Sequence, residues 1–101
     1  MKILIMEKNL LLASKIKNSL AGLDVRVGED FQNEQVVFIN VESFDPSFIK
    51  EIKEKGGSKV IAYCGHKRAD LIQKAKENGA DLVVPNSKIV DARSLIEGRL
   101  F

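Results

Sequence analysis

The chain has one cysteine, one histidine and no tryptophan in 101 residues. A single thiol, Cys64, excludes an internal disulfide and a cysteine-built metal cluster. The lone His66 has no partner at ligand spacing, so no metal site is expected. It reads as a surface or loop residue before it reads as a phosphoryl carrier or pH sensor. Long apolar runs are also missing. The opening Ile3-Leu-Ile-Met6 is too short for a signal peptide or membrane span, and Glu7-Lys8 ends it. Neither Gly-x-Gly-x-x-Gly nor a Walker pattern occurs; Gly56-Gly57 and Gly65 are turn glycines. Charge of one sign is scarce too: a net +2 gives no reason to expect nucleic acid or a membrane as partner. The expectation is a cytoplasmic protein, one domain over 1–101, with no cofactor.

What is present is an ordinary globular composition, 45% apolar and 30% charged. Lys2 to Met6 reads as a buried strand. Asn9 caps a helix over 10–20, with Leu12, Ala13, Ile16 and Leu20 inward and Gly22 ending it. Asp24 to Val27 is a second strand. The polar stretch from Glu29 to Gln35 has room for a turn or one helical turn. Val36 to Val41 is the strongest strand signal. Asp45-Pro46 opens a helix with Phe48, Ile49 and Ile52 on its inner face. Lys59 to Cys64 is the fourth strand, and Arg68 to Asn78 a helix stopped by Gly79. Asp81 to Val84 is the fifth strand. Ile89, Ala92, Arg93 and Ile96 continue at helical spacing. This alternation implies a three-layer α/β/α sandwich around a five-stranded parallel sheet.

In such sheets ligands sit beyond the carboxyl ends of the strands. Those ends carry Glu7 and Lys8, Asn40 and Glu42, Cys64 and Gly65, and Val84-Pro85. Here the chain resembles the receiver domain of bacterial response regulators, a flavodoxin-like fold with strand order 2-1-3-4-5. Lys2-Ile-Leu-Ile-Met-Glu-Lys8 looks like a receiver's first strand, which usually ends in two acids. Gln35-Val-Val-Phe-Ile-Asn40 looks like the third, which usually ends in the phosphorylated Asp. Val60-Ile-Ala-Tyr-Cys-Gly65 looks like the fourth, usually Thr or Ser, then Ala. Asn78-Gly-Ala-Asp-Leu-Val-Val-Pro85 looks like the Gly-Ala-Asp stretch and a fifth strand that usually ends Lys-Pro. The stretches Ala62-Tyr-Cys-Gly-His66 and Pro85-Asn-Ser-Lys88 also look like those of small stand-alone receiver-like proteins. The receiver's second helix would be shortened or absent.

The resemblance implies a phosphotransfer pocket, and each of its positions has departed. Asn40 stands at the acceptor, where an amide is no nucleophile. Lys8 replaces one of two acids that would hold Mg²⁺. Val84 stands for the Lys and Cys64 for the hydroxyl. The Lys8 ammonium could take the metal's place beside Glu7 or the Asn40 carbonyl. A bulge in the third strand could instead bring Glu42 to the acceptor position.

The leading reading is therefore a degenerate receiver-like module, not an enzyme, that binds a signalling protein or a second copy of itself without phosphorylation. By resemblance, the last two helices and the strand between them would form that contact, with Leu100 and Phe101 as apolar additions. A different class of function centres on Tyr63-Cys-Gly-His-Lys-Arg68, which is locally similar to a rhodanese loop and would make Cys64 a sulfur-transfer nucleophile. Third, the basic rim of Lys67, Arg68 and Lys88, joined by Lys8, could sense a small anion. Tyr63, facing away from Cys64, reads as core.

Overall fold

The computed structural model describes residues 1–100, the side chains of Arg99 and Leu100 excepted. The suggested apolar contact through Leu100 and Phe101 lies outside the described residues.

In chain order the elements are β1 (Lys2–Met6), α1 (Leu10–Ser19), β2 (Asp24–Val27), β3 (Val36–Asn40), α2 (Ser47–Glu54), β4 (Lys59–Cys64), α3 (Ala69–Glu77), β5 (Leu82–Pro85), α4 (Asn86–Ile89) and α5 (Ala92–Leu95), followed by a π-helical turn over Ile96–Leu100. The five strands form one parallel sheet in the order β2-β1-β3-β4-β5. This is the flavodoxin-like arrangement that the sequence predicts. β3 is buried on both faces along its whole length, which is why Val36-Val-Phe-Ile lacks polar alternation. Ile3, Ile5, Phe38, Ile61 and Tyr63 pack under α1 and α5 on one side. Leu4, Met6, Val37, Ile39 and Cys64 pack under α2 and α3 on the other.

Local chemistry sets both ends of α1 and shapes the turn before α2. The Asn9 carboxamide accepts from the N–H groups of Leu11 and Leu12 at 3.0 and 3.2 Å, the expected cap. Asp45 accepts from Ser47 N at 2.9 Å. Gly22, at φ +89°, takes the left-handed turn after α1 at no steric cost.

Two expectations need correction. Phe48 is not inside: it is 37% exposed and meets Phe44 edge-on, ring centres 6.1 Å apart. The C-terminal stretch is also not one helix. Helical geometry breaks at Asp91 (φ −104°, ψ 52°), between α4 and α5. The cause is tertiary. Arg93 N donates to Ser19 Oγ, its Nε donates to the Ser19 carbonyl, and its Nη2 to the Ala21 carbonyl. These bonds dock α5 on the end of α1 and supply acceptors and donors that a continuous helix would have used internally.

Between β2 and β3 no helix forms. A helical crossover between parallel strands takes about a dozen residues or more. Gly28 to Gln35 is shorter, and must pass over β1 from a bond with the Ile5 carbonyl to one with the Lys2 carbonyl. Eight residues reach about 26 Å extended but only about 12 Å as a helix. The strap is therefore extended, and it is pinned from below. Arg26 donates to Glu34 Oε2 from Nε at 2.9 Å and from Nη2 at 2.6 Å, and to Asp30 Oδ1 from Nη1 at 3.0 Å. Gln32 N donates to Glu34 Oε1 at 2.7 Å, and Ser58 Oγ to the Glu34 carbonyl at 2.6 Å.

Burial opposes ionisation of Glu34, but the Gln32 N–H and the Arg26 guanidinium outweigh it and hold the carboxyl below its usual range. A lowered folded pKa means that the stabilisation is complete above the unfolded value of about 4.3 and drains away as pH falls through the folded one. Arg26→Ala strands a buried carboxylate and is expected to cost about 2 kcal/mol at pH 7, part of Arg26 being exposed. Urea melts from pH 7 to 3 check this: the variant's stability should fall less steeply with acid than the parent's.

Candidate functional site

The register of the sheet builds the site. Met6 pairs with Ile39, Asn40 with Tyr63, and Tyr63 with Val84. Glu7, Asn40, Tyr63 and Val84 consequently form one row across β1, β3, β4 and β5, on the α1/α5 side. Glu7 is only 5% exposed. Its Oε1 accepts from Asn40 Nδ2 at 2.8 Å and from Tyr63 Oη at 3.0 Å. Its Oε2 accepts from Asn9 N at 3.0 Å. The Asn40 carbonyl oxygen accepts in turn from Glu42 N at 2.9 Å. Burial first, then the Glu7 carboxylate beside it, push the Tyr63 phenol far above its ordinary range. It stays a donor wherever the protein is folded.

The other candidate residues fall elsewhere. Lys8, one residue on, points to the opposite face, where its ammonium lies 5.1 Å from the centre of the Phe44 ring. The suggested pairing of that ammonium with Glu7 or the Asn40 carbonyl does not form; a cation–π contact takes its place. Glu42 lies past the end of β3, and its Oε1 accepts from Gly65 N at 2.9 Å. The β3–β4 pairing runs without a bulge from Val36 to Asn40, so Asn40, not Glu42, is the strand's last residue. Cys64 sits with the α2/α3 core, 1% exposed. Burial and then the Glu42 carboxylate raise its thiol pKa, against a smaller opposing pull from Arg68. His66, Lys67 and Lys88 are exposed. The Arg68 guanidinium turns to Asp70, at 3.3 Å. Val84 belongs to the α1/α5 core.

The register brings Glu7, Asn40 and Val84 into one row and leaves Lys8, Glu42, Cys64 and the basic rim outside it. It adds Tyr63, which the sequence places only by face. Alternation along β4 does put Tyr63 opposite Cys64. That the same alternation puts it beside Asn40 needs the pairing of β3 with β4, which no local pattern carries.

No protein-family model and no curated protein sequence matches the chain. Solved structures do. An orphan response regulator of H. pylori superposes with a TM-score of 0.80 at 26% identity, over 100% of this chain and 97% of that one. The chain has a response-regulator receiver fold. The response regulator DrrB of Thermotoga maritima, an OmpR/PhoB homologue, superposes at 0.78 with 25% identity, over 98% of this chain and 53% of its own. A CheY-like receiver domain protein from Methanospirillum hungatei gives 0.78 at 16% identity, over 98% and 92%. The Glu7–Asn40–Tyr63 row lies at the carboxyl ends of β1, β3 and β4, the edge at which open parallel sheets take ligands. Among the described residues no helix is long and apolar enough to cross a membrane. No three His, Cys, Asp or Glu side chains among them are grouped to hold a metal ion.

A buried thiol of raised pKa should resist alkylation. Iodoacetamide is expected to modify Cys64 at least about a hundredfold more slowly in the native protein than in urea, because reaction must wait for opening. Intact mass against time measures it, and a fast native reaction would restore Cys64 as a nucleophile.

Proposed function

We propose that this receiver fold is a protein-interaction module that works without phosphorylation, in the cytoplasm, as one domain over 1–101. One observation carries the reading: both oxygens of the Glu7 carboxylate are met by donors of the chain itself. Phosphoryl transfer to a receiver needs a carboxylate nucleophile and a divalent cation held by several oxygens. Asn40 offers neither. Its nitrogen donates to Glu7 and its oxygen is held by Glu42 N. A cation entering here would have to displace three N–H or O–H donors and then find other oxygens in a row whose next member is Val84. The donor set therefore does not fit Mg²⁺. What remains is a rigid surface for a protein partner or a second copy. Nothing in the charge distribution calls for nucleic acid, membrane or cofactor. The sulfur-transfer reading has the raised Cys64 thiol against it, and the anion-sensor reading has the Arg68–Asp70 pair against it.

The direct test is incubation with acetyl phosphate, and separately with beryllofluoride, in Mg²⁺. The expected outcome is an unchanged intact mass and an unchanged amide spectrum. Phosphate on any side chain would overturn the proposal.

Asn40→Asp probes the same row. It sets a second carboxyl where a donor now lies 2.8 Å from Glu7, and two carboxylates so close cannot both ionise freely. The new acid's folded pKa is raised, so at low pH, protonated, it still donates. The loss of stability grows as pH rises above about 4 and reaches about 2–4 kcal/mol by pH 7. Urea melts across this range measure it. Millimolar Mg²⁺ is expected to restore none of the loss, and full recovery would reinstate a cation site.

A further inference from the structure

The extended strap over Gly28 to Gln35 is thinner than a helix, and it leaves the sheet unequally covered. On the α2/α3 side, β4 and β5 lie under helices. The strap, with Phe31 packed down on the core, shares the cover of β1 with α2, whose Ile49 and Ile52 lie in one cluster with Leu4 and Met6. Between the strap and α2 runs a groove of about 290 Å³. Met6, Phe31, Phe48 and Ile52 give it an apolar floor and wall. Phe48 is the side chain that sequence periodicity assigns to the interior; here it stands on the groove's wall, more than a third exposed.

The rim is acidic. Glu29 and Asp30 edge it from the strap and Glu51 from α2, against one cation, Lys55. Asp30 is taken up by Arg26. Glu29 and Glu51 make no ion pair among the described residues. A local excess of carboxylates beside exposed aromatic surface stands out on a chain whose net charge is +2.

We propose that this groove docks a basic amphipathic helix of a partner protein, laid where a longer crossover would have placed the chain's own helix. The volume suits the anchoring side chains of one helix face at i and i+3 or i+4. Lysine or arginine beside those anchors would meet Glu29 and Glu51. A second copy of this chain fits less well, because α1, the longest helix among the described residues, exposes Leu10 and Leu11 only at its first turn. The inference rests on reading the chain as an interaction module and names the face that such a module uses.

The probe is a synthetic helical peptide with leucine at i, i+3, i+4 and i+7 and lysine elsewhere, with a glutamate-for-lysine twin as control. Titration into the ¹⁵N-labelled chain should shift the amides of residues 29–31 and 48–55. The lysine peptide should bind at least about tenfold more tightly than its twin, and more weakly as salt is raised. Glu29→Lys with Glu51→Lys, both at exposed sites, should lose about tenfold in affinity; Phe48→Ala, which also gives up the edge contact with Phe44, should lose a similar factor while its circular dichroism stays that of the parent. Equal binding of the twin, or absence of shifts at the groove, overturns the proposal. Shifts confined to another face also overturn it while leaving the interaction-module reading standing; phosphorylation by acetyl phosphate would do the reverse.

Discussion

A carboxylate shut away from water is tolerated only if its lone pairs are met, since an unpaired buried charge costs several kcal/mol. Glu7 meets that condition with three donors from three parts of the chain: the start of α1, the end of β3 and the end of β4. The same bonds fix much of the carboxyl edge of the sheet. They hold the Asn40 amide in one orientation, which turns its oxygen to Glu42 N and shapes the turn after β3. They bring the Tyr63 hydroxyl across the strand between, so a large aromatic side chain fills the space beneath the row. Each member depends on the others for its partner, so the row behaves as one unit.

The alternation of strands and helices was legible because its signals are local and repeated. The β-branched runs of β1, β3 and β4, the Asn9 cap and the glycine stops after α1 and α3 all act within a few residues. The missing crossover helix was readable in the same way, from a connection too short to climb off the sheet and return. The site was harder. Glu7 and Asn40 could be placed at strand ends, but Tyr63 became part of their row only through inter-strand register. Lys8 follows Glu7 directly, yet the two side chains leave on opposite faces, and the Phe44 ring decides where the ammonium settles. The break at Asp91 was invisible to periodicity because Ser19, far away in sequence, causes it.

The strap illustrates how one deletion-like feature propagates. Losing a helix removes cover from β1 and β2, and Arg26 supplies part of it. Its side chain, standing on β2, is only one-third exposed, and its guanidinium gathers Asp30 and Glu34. Gly28 is small for the same reason: a Cβ there would come within 2.6 Å of Arg26 Nη1. Cover by an arginine and an extended segment is incomplete, and the groove beside α2 is what is left over.

The clasp of Arg93 on Ser19 and Ala21 has a bearing on biogenesis. A ribosome releases the N-terminal helix long before Arg93 has been made. Until then the Ser19 and Ala21 carbonyls lack this partner, and β1 and β3 have no cover from α5. The α1/α5 face of the sheet therefore closes only after Arg93 has been made.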